Sequence, residues 1–273
     1  MNFWLSALIH KRAVAHGPLV LVYHSVTSGA RRPAWPWSIS ARDFAHHLDF
    51  IADRGYTTCA VRDLLSTTEN LAATPRVVIT FDDGYRDNLE AAEALSLRGM
   101  TASWFVLSGN LGQTPRWKDH EGPQDPLLDI AELRALEASG FEIGSHGVDH
   151  LRMTALNDAA LDYQMNTSRQ SLEQALGNPV RSFAYPFGAW DARVRDAADA
   201  AGYGHACTTV SGWALRDGDP LRIRRLTIKN TDSAAVLARK LAWAQNEVSW
   251  PHVAGSLARR LGGGLVRRLP MRS

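Results

Sequence analysis

The feature that most constrains this chain is an alternation of short apolar runs with longer amphipathic stretches, from about residue 19 to residue 209. The runs at residues 19–23 and 77–81 are apolar and rich in β-branched side chains, which is typical of buried strands. Residues 41–54 instead carry apolar side chains at helical spacing, and Ser40 can cap the helix that they predict. Apolar strands that alternate with helices predict a parallel sheet covered by helices on both faces.

Further elements continue this pattern and favour a closed arrangement. Six or more strand–helix units favour a (β/α) barrel over a doubly wound sheet, so the predicted fold class is α/β with parallel strands. Two long loops rich in glycine, proline and aromatic residues, 28–38 and 110–126, interrupt the rhythm and are predicted to be functional. The remaining predicted elements are strands at 102–107, 141–145, 182–185 and 205–209, and helices at 89–95, 130–139, 161–175 and 192–201.

The composition excludes several classes of protein. Apolar residues make up 45% of the chain, enough for a substantial core, and no run approaches the ~20 consecutive apolar residues of a membrane span. Two cysteines are too few for a disulfide framework or a cysteine-based zinc site. The 30 basic and 28 acidic residues leave a net charge of +2, which gives no reason to expect a nucleic-acid partner.

The two ends of the chain differ from its centre. Near the start, basic residues follow the apolar run, the reverse of a signal peptide, so we expect a cytoplasmic protein. After residue 232, seven basic residues face one acid, Glu247, and alternate with leucines. Such a segment can lie on anionic lipid as a peripheral membrane contact, or it can be a packed or solvated terminal helix. The predicted division is therefore an N-terminal helical segment (1–17), a central domain (18–232) and a basic amphipathic tail (233–273).

Two adjacent carboxylates, Asp82 and Asp83, follow directly on the apolar run at residues 77–81. Asp-Gly is common in turns, but a turn needs only one aspartate and does not account for a pair at the end of a strand. Adjacent carboxylates repel each other unless a cation or a proton shares the site. The pair therefore predicts a shared cation or proton at this strand end.

A histidine pair, His146 and His150, stands directly after the predicted strand at 141–145. Histidines at this spacing can lie on one side of a turn and bind one metal ion, although a histidine pair alone is a weak indication. Together with one strand-end carboxylate they make a set of three ligands that leaves positions open for water and substrate. The other carboxylate then remains free to act as a base.

Two more polar clusters follow predicted strands: Tyr23-His24-Ser25, and residues 183–188 with the sequence Phe-Ala-Tyr-Pro-Phe-Gly. Taken alone, a single histidine is more often structural, and a Pro-Phe-Gly stretch is a turn. However, four polar clusters then fall at strand ends, which lie on one face of a parallel barrel. Catalytic groups in such barrels gather on that face, so we predict an active site there.

In this order and at these intervals, the motifs TFDDGY, SHGVDH and AYPFG resemble those of the polysaccharide deacetylase family, carbohydrate esterase family 4. The resemblance covers roughly residues 19–226 and implies a distorted (β/α) barrel that removes N-acetyl groups from amino sugars with the help of a metal. It implies that Asp82 is the general base and that Asp83, His146 and His150 bind one divalent ion. Zinc is expected, while cobalt, nickel or iron would also fit.

The chain departs from the family pattern in three places. Gly147 stands where the family has serine or threonine, so a loop-stabilising hydrogen bond is lost. Ala184 stands where an arginine orients the base, a role that Arg181 or another basic side chain can take. The late Leu-x-His motif, which supplies the general acid, has no match near residues 224–228. Because His24 follows the first strand, the chain resembles the branch with biofilm poly-N-acetylglucosamine deacetylases, and we assign the acid to His24.

The resemblance also suggests the remaining contacts of an N-acetylated glycan substrate. The backbone N–H of Phe187 is assigned to the oxyanion, and Trp213 is as consistent with the core as with substrate. Three interpretations stay open: a deacetylase of polysaccharides or oligosaccharides, a deacylase of a lipid-linked sugar on the cytosolic leaflet, and a non-catalytic carbohydrate-binding module. The predicted substrate-binding side chains are Trp35, Trp37, Tyr85, Trp117, Tyr185, Pro186 and Trp213.

Overall fold

The computed structural model describes residues 17–65, 75–117 and 121–252, and a parallel sheet forms its centre. Its strands, together with a separate two-stranded pair, are β1 (Leu19–Tyr23), β2 (Ser25–Thr27), β3 (Ser38–Ser40), β4 (Thr57–Thr58), β5 (Arg76–Asp83), β6 (Ser103–Val106), β7 (Glu142–Ser145), β8 (Ser182–Ala184), β9 (His205–Cys207) and β10 (Leu226–Thr227). The main sheet runs in the order β10-β1-β5-β6-β7-β8-β9, with β4 beside β5, while β2 and β3 pair with each other.

The two edges of the main sheet meet through residues 223–227, the closing segment. Ile223 bridges to Cys207 in β9, and Leu226 and Thr227 pair with β1 on the other side. All of these pairings are parallel, so the carboxyl ends of the strands lie at the same end of the barrel. The predicted α/β barrel with parallel strands is therefore confirmed, and its closure rests on a short seam.

Helices cover the outside of the sheet at the predicted places. Ser40 caps the first of them, because its hydroxyl accepts the Asp43 N–H at 3.1 Å. The apolar face of that helix, with Phe44, Leu48 and Ile51, is buried in the main core. The helices are α1 (Ala41–Asp53), α2 (Asn88–Ser96), α3 (Ile130–Ala138), α4 (Asp158–Asp162), α5 (Ser168–Leu176), α6 (Ala192–Ala200) and α7 (Ala234–Trp243).

The long helix predicted at 161–175 differs from the prediction in one respect. A π-helical turn, Tyr163–Thr167, separates α4 from α5. Apolar spacing predicts the buried face, and Leu161, Met165 and Leu172 do lie in the core. It does not predict the π turn, whose buried Gln164 is a polar side chain with partners outside the helix.

The predicted tail, residues 233–273, begins with α7, which packs against the barrel. Leu237 and Leu241 are fully buried in the main core, and α7 contacts α1. The Lys240 ammonium is buried and bonds to the Asp232 carboxylate at 2.5 Å, which holds α7 to the chain that precedes it. Residues 233–252 thus pack with the domain. Residues 253–273, and residues 1–16 of the predicted N-terminal segment, lie outside the described residues. Within the described residues, no helix has the length and apolar character to cross a bilayer.

Candidate metal centre and active site

The polar clusters predicted at the strand ends do come together. A cavity of about 1000 Å³ opens at the carboxyl ends of the strands and is lined by residues from all four clusters. His24 follows β1, Asp82 and Asp83 end β5, His146 follows β7, and Phe187 follows β8. Parallel strands place these positions at one end of the barrel, as the sequence pattern predicts.

Asp83, His146 and His150 have the geometry of a metal site. The Asp83 Oδ1 atom lies 3.4 Å from Nε2 of His146 and 3.3 Å from Nε2 of His150, and the three ligand atoms lie within 4.8 Å of one another. Oδ1 is buried and has no hydrogen-bond partner among the described residues. Because an unpaired buried carboxylate oxygen is costly, a bound cation would stabilise it. Imidazole and carboxylate donors suit Zn²⁺ and its neighbours in the transition series, so these residues fit one divalent ion.

The third motif orients the first histidine ligand. Nδ1 of His146 lies 2.7 Å from the backbone oxygen of Ala184. Since a carbonyl oxygen only accepts, Nδ1 carries the proton, and the lone pair of Nε2 is directed to the ligand cluster. Metal-binding histidines commonly have such a partner on the other ring nitrogen.

The pKa values of the three ligand side chains reflect burial and mutual attraction. Burial lowers the pKa of His150 to about 4 and outweighs the nearby Asp83 carboxylate, so the ring is neutral at pH 7. At His146 burial is outweighed by Asp82 and Asp83, so its pKa is raised. At Asp83 burial is outweighed by His150 and His146, and the pKa lies below its ordinary value. The carboxylate is thus ionised at neutral pH, as a metal ligand must be.

Asp82 does not belong to the ligand cluster and is held by Arg225. The Arg225 guanidinium donates to both Asp82 oxygens at 2.7 Å, and it also donates to Thr80 Oγ1 and the Thr208 carbonyl. Burial would raise the pKa of Asp82, but the charge and hydrogen bonds of Arg225 hold it below the ordinary value. Asp82 is therefore an ionised carboxylate of fixed orientation beside the candidate metal centre.

Arg225 was not among the residues predicted for this role. Arg181, the named substitute, precedes β8, and its backbone oxygen accepts the N–H groups of Gly204 and His205 at the opposite end of the strands. Arg225 instead reaches Asp82 from the closing segment of the barrel. The available signal was a pair of arginines, Arg224 and Arg225, between the apolar residues Ile223 and Leu226, because a cation buried among apolar residues requires an anion.

Three site residues have backbone conformations that side chains other than glycine seldom adopt. Asp83, His150 and Phe187 have φ values of 73°, 55° and 60°. Each such residue costs on the order of 1–3 kcal/mol unless the surrounding structure fixes it. Strain of this kind gathers at functional sites, and here it falls on two of the three candidate ligands and on the residue assigned to the oxyanion.

His24 lies at the cavity, and two residues that follow the first motif, Asp87 and Asn88, hold its loop. The Asn88 side chain donates to the His24 carbonyl at 2.8 Å, while Asp87 accepts the Ser25 hydroxyl at 2.5 Å and the Val26 N–H at 3.2 Å. Nδ1 of His24 is buried without a partner among the described residues. Burial lowers the pKa of His24 and outweighs the attraction of Asp83 and Asp82.

Aromatic side chains form the walls of the cavity. Trp35 and Trp37 lie 6.2 Å and 5.8 Å from the His24 ring, measured between ring centroids. The Trp117 and Phe187 rings lie 4.9 Å and 4.5 Å from the His150 ring. Tyr85 also lines the cavity. Four of the predicted substrate-binding residues, Trp35, Trp37, Tyr85 and Trp117, thus line the cavity, as does Phe187.

Three predicted substrate contacts need correction. Tyr185 is fully buried and donates its hydroxyl to the Leu221 carbonyl at 3.0 Å, so its side chain serves the core. Pro186 is buried, and Trp213 packs against the hydrophobic core. None of the three is among the described residues that line the cavity. Tyr185 follows β8 directly, and its place in a motif does not predict which way its side chain points, because alternate residues of a strand face opposite sides.

Comparisons with known proteins agree with this geometry. A family model for polysaccharide deacetylase matches residues 70–206. The Bacillus subtilis (strain 168) protein YxkH is 27% identical over 212 residues, 77% of this chain and 70% of the relative. The Streptococcus pyogenes deacetylase PplD, solved with acetate, has a TM-score of 0.70 at 22% identity and covers 82% of this chain and 97% of its own. IcaB from Ammonifex degensii has a TM-score of 0.67 at 25% identity and covers 84% of this chain and 97% of its own.

The family match includes the candidate base and all three candidate metal ligands. His24 and Arg225 lie outside it, before and after residues 70–206. His24 is therefore identified by its place at the cavity and Arg225 by its contact with Asp82, and neither by the family match.

Proposed function

Because the chain belongs to the polysaccharide deacetylase family, we propose that it is a metal-dependent hydrolase that removes N-acetyl groups from amino sugars of a polysaccharide or oligosaccharide. Family membership makes it an N-deacetylase acting on sugar polymers. The proposal adds the metal, the acetylated amino sugar and the roles of the residues.

One observation carries the proposal: an ionised carboxylate lies beside, and outside, the three-residue cluster that could bind a metal. Asp82 is bound by Arg225, whereas its neighbour Asp83 meets His146 and His150. A carbohydrate-binding module has no need of a base next to a cation. The arrangement therefore supports hydrolysis over the non-catalytic alternative.

The hydrolysis of an amide needs a base, an electrophile and an acid. When bound by Asp83, His146 and His150, a divalent cation supplies Lewis acidity toward the acetyl carbonyl and toward water. Asp82 accepts the proton of the attacking water, and it is ionised and oriented for this because Arg225 occupies one lone pair on each oxygen. The Phe187 N–H is proposed to bind the oxyanion that forms at the acetyl carbon.

His24 is proposed to protonate the departing amine. An unprotonated amine is a poor leaving group, so the tetrahedral intermediate would revert to the amide without an acid. His24 lines the cavity, and its Nδ1 is buried with no partner among the described residues. Its lowered pKa makes its protonated form a stronger acid than an ordinary imidazolium. The likeness to IcaB agrees with the resemblance to the branch of biofilm deacetylases.

The cavity supports a substrate longer than one sugar. Its volume of about 1000 Å³ is at the upper end for small-molecule sites. It extends past the ligand cluster to Lys229 and to residues 246–249, which follow α7. Trp37 and Trp117 stand on its wall as flat apolar surfaces on which sugar rings can stack.

The lipid-linked alternative rests on sequence alone. Its basic tail beyond residue 252 lies outside the described residues, and the cytoplasmic location stays a prediction. No contact among the described residues favours a lipid over a soluble glycan, so the glycan is the substrate that we propose.

The test is acetate release from N-acetylglucosamine and a series of its oligomers by the zinc-loaded protein. We expect release to increase with oligomer length and to stop in the presence of a chelator. The Asp82→Asn variant serves as the matched inactive control. No acetate release from any amino sugar by metal-replete protein would contradict the proposal.

A further inference from the structure

Gln164 lies against the loop that carries the second histidine ligand. This loop, residues 147–149, connects His146 to His150 and is buried apart from Asp149, which is exposed. The Gln164 side chain is itself buried, and it projects from the π-helical turn Tyr163–Thr167. Turns of this kind occur mostly as single insertions in α-helices, frequently at functional sites.

The amide of Gln164 makes three hydrogen bonds to the loop. Its Oε1 atom accepts the Val148 N–H at 2.8 Å and the Asp149 N–H at 3.1 Å. Its Nε2 atom donates to Asp149 Oδ2 at 2.7 Å. One side chain thus binds two consecutive backbone groups and the side chain that directly precedes His150.

The opposite side of the loop is bound by backbone. The Gly147 and Val148 carbonyls accept the N–H groups of Ser108 and Gly109, both at 3.1 Å. Those bonds fix the carbonyl groups of Gly147 and Val148, and Gln164 binds the N–H groups of Val148 and Asp149. Without Gln164, these two N–H groups would lose the partner that holds them.

Gly147 and Gln164 depend on each other. Gly147 has a φ of +88°, and a Cβ atom there would lie 3.2 Å from Gln164 Oε1 and 2.9 Å from Met153 Cε. A serine or threonine at 147 would therefore compete with the glutamine amide for space.

We propose that Gln164 is a positioning residue for the metal centre: it holds residues 147–149 in the conformation that directs His150 toward Asp83. His150 needs such support because its backbone is in the left-handed region, with φ at 55°. This inference rests on the proposed function, since it requires that Asp83, His146 and His150 bind a metal. Gln164 touches neither the ligand atoms nor the cavity lining, so it acts through the loop.

The test measures zinc affinity of the metal-free full-length protein by competition with a chromophoric chelator. Gln164→Leu, which removes all three hydrogen bonds, should weaken zinc binding about 10–100-fold, the usual cost of losing a partner behind a metal ligand. Asn166→Ala is the matched control, because Asn166 lies in the same turn and bonds only outward, to Asp162. The control should bind zinc as wild type does.

Two variants that exchange the amide and the carboxylate between positions 164 and 149 separate positioning from packing. Gln164→Glu keeps the acceptor for the two N–H groups but sets a carboxylate against Asp149, so zinc affinity should fall. Adding Asp149→Asn supplies an amide that donates to the new carboxylate, and affinity should recover in the double variant. A residue that only packs the helix would show no such recovery.

The outcomes are distinct. Wild-type protein that binds no zinc would contradict the proposed function itself. Wild-type zinc affinity in Gln164→Leu, or no recovery in the double variant, would overturn the role of Gln164 and leave the function standing. If Gln164→Leu does not fold, the comparison of Gln164→Glu with the double variant Gln164→Glu, Asp149→Asn still decides whether Gln164 positions the loop.

Discussion

Arg225 and Asp82 form a fully buried bidentate ion pair, with two hydrogen bonds of 2.7 Å between residues 143 positions apart. The pair joins the closing segment of the barrel to the end of β5. It therefore couples barrel closure to the orientation of the candidate base. The same guanidinium also binds the Thr208 carbonyl, which ties the end of β9 to the pair.

Arg225→Lys should raise the pKa of Asp82, because the ammonium cannot bind both oxygens. A base must be deprotonated, so a higher pKa means that activity is lost at a higher pH as the solution is acidified. We expect the acid limb of kcat/KM to move upward and its plateau to fall about tenfold or more. Arg224→Lys is the control, since Arg224 pairs with Asp217 away from the cavity. A pH profile identical to wild type would contradict the role of Arg225.

Asp82→Asn should abolish turnover while zinc stays bound, whereas Asp83→Asn should lose zinc. Only Asp83 is in the ligand cluster, and removing a general base costs on the order of 10²–10⁴ in rate. Elemental analysis should give roughly one equivalent for wild type and Asp82→Asn, and much less for Asp83→Asn and His150→Ala. If the two aspartate variants show the opposite behaviour, the two roles are exchanged.

His24→Ala should depress the hydrolysis of an N-acetyl sugar without lowering the metal content. The loss should be smaller for an activated aryl acetate, because a good leaving group needs little protonation. The ratio of the two rates, compared between variant and wild type, is the measurement. Wild-type activity of the variant on the amide would remove His24 from the mechanism.

Truncation after residue 252 should leave activity on a soluble oligosaccharide intact, because the candidate site lies within residues 17–252. If the tail binds lipid, binding to anionic vesicles should weaken by about 1 kcal/mol for each basic residue removed near the surface. Truncation after Ser233 should instead unfold the protein, because Leu237, Lys240 and Leu241 of α7 are buried. If truncation after residue 252 leaves vesicle binding unchanged, residues 253–273 are excluded as a membrane contact.

Because His47 is buried as a neutral ring, we expect the protein to become less stable as the pH falls from about 6.5 toward 4. Its ring is fully buried between the Tyr23 hydroxyl at 3.0 Å and the Asp232 carbonyl at 2.8 Å, and burial lowers its pKa to about 4. The unfolded chain takes up the proton at higher pH, so acid favours unfolding, by about 3 kcal/mol in total. Unfolding free energies at pH 7 and 5 should differ less in His47→Gln than in wild type, while exposed His46→Gln should match wild type.

The sequence by itself determined the alternation of strands and helices, their caps and the positions of the site motifs. Asp82, Asp83, His146 and His150 could be predicted because each stands next to a strand whose pattern is local. In a parallel barrel the carboxyl ends of all strands lie at one end, so topology alone brings these residues together. Ser40 and the buried face of α1 could be predicted for the same reason.

Only the tertiary structure decided which distant side chains support these residues. Arg225 reaches Asp82 across the closing seam, Gln164 reaches the 147–149 loop from a π turn, and Asn88 holds the carbonyl of His24. It likewise turned Tyr185 and Trp213 into the core and packed α7 onto the barrel. Periodicity reports which face of an element is buried, whereas a buried polar group is assigned its partner only when the elements meet in space.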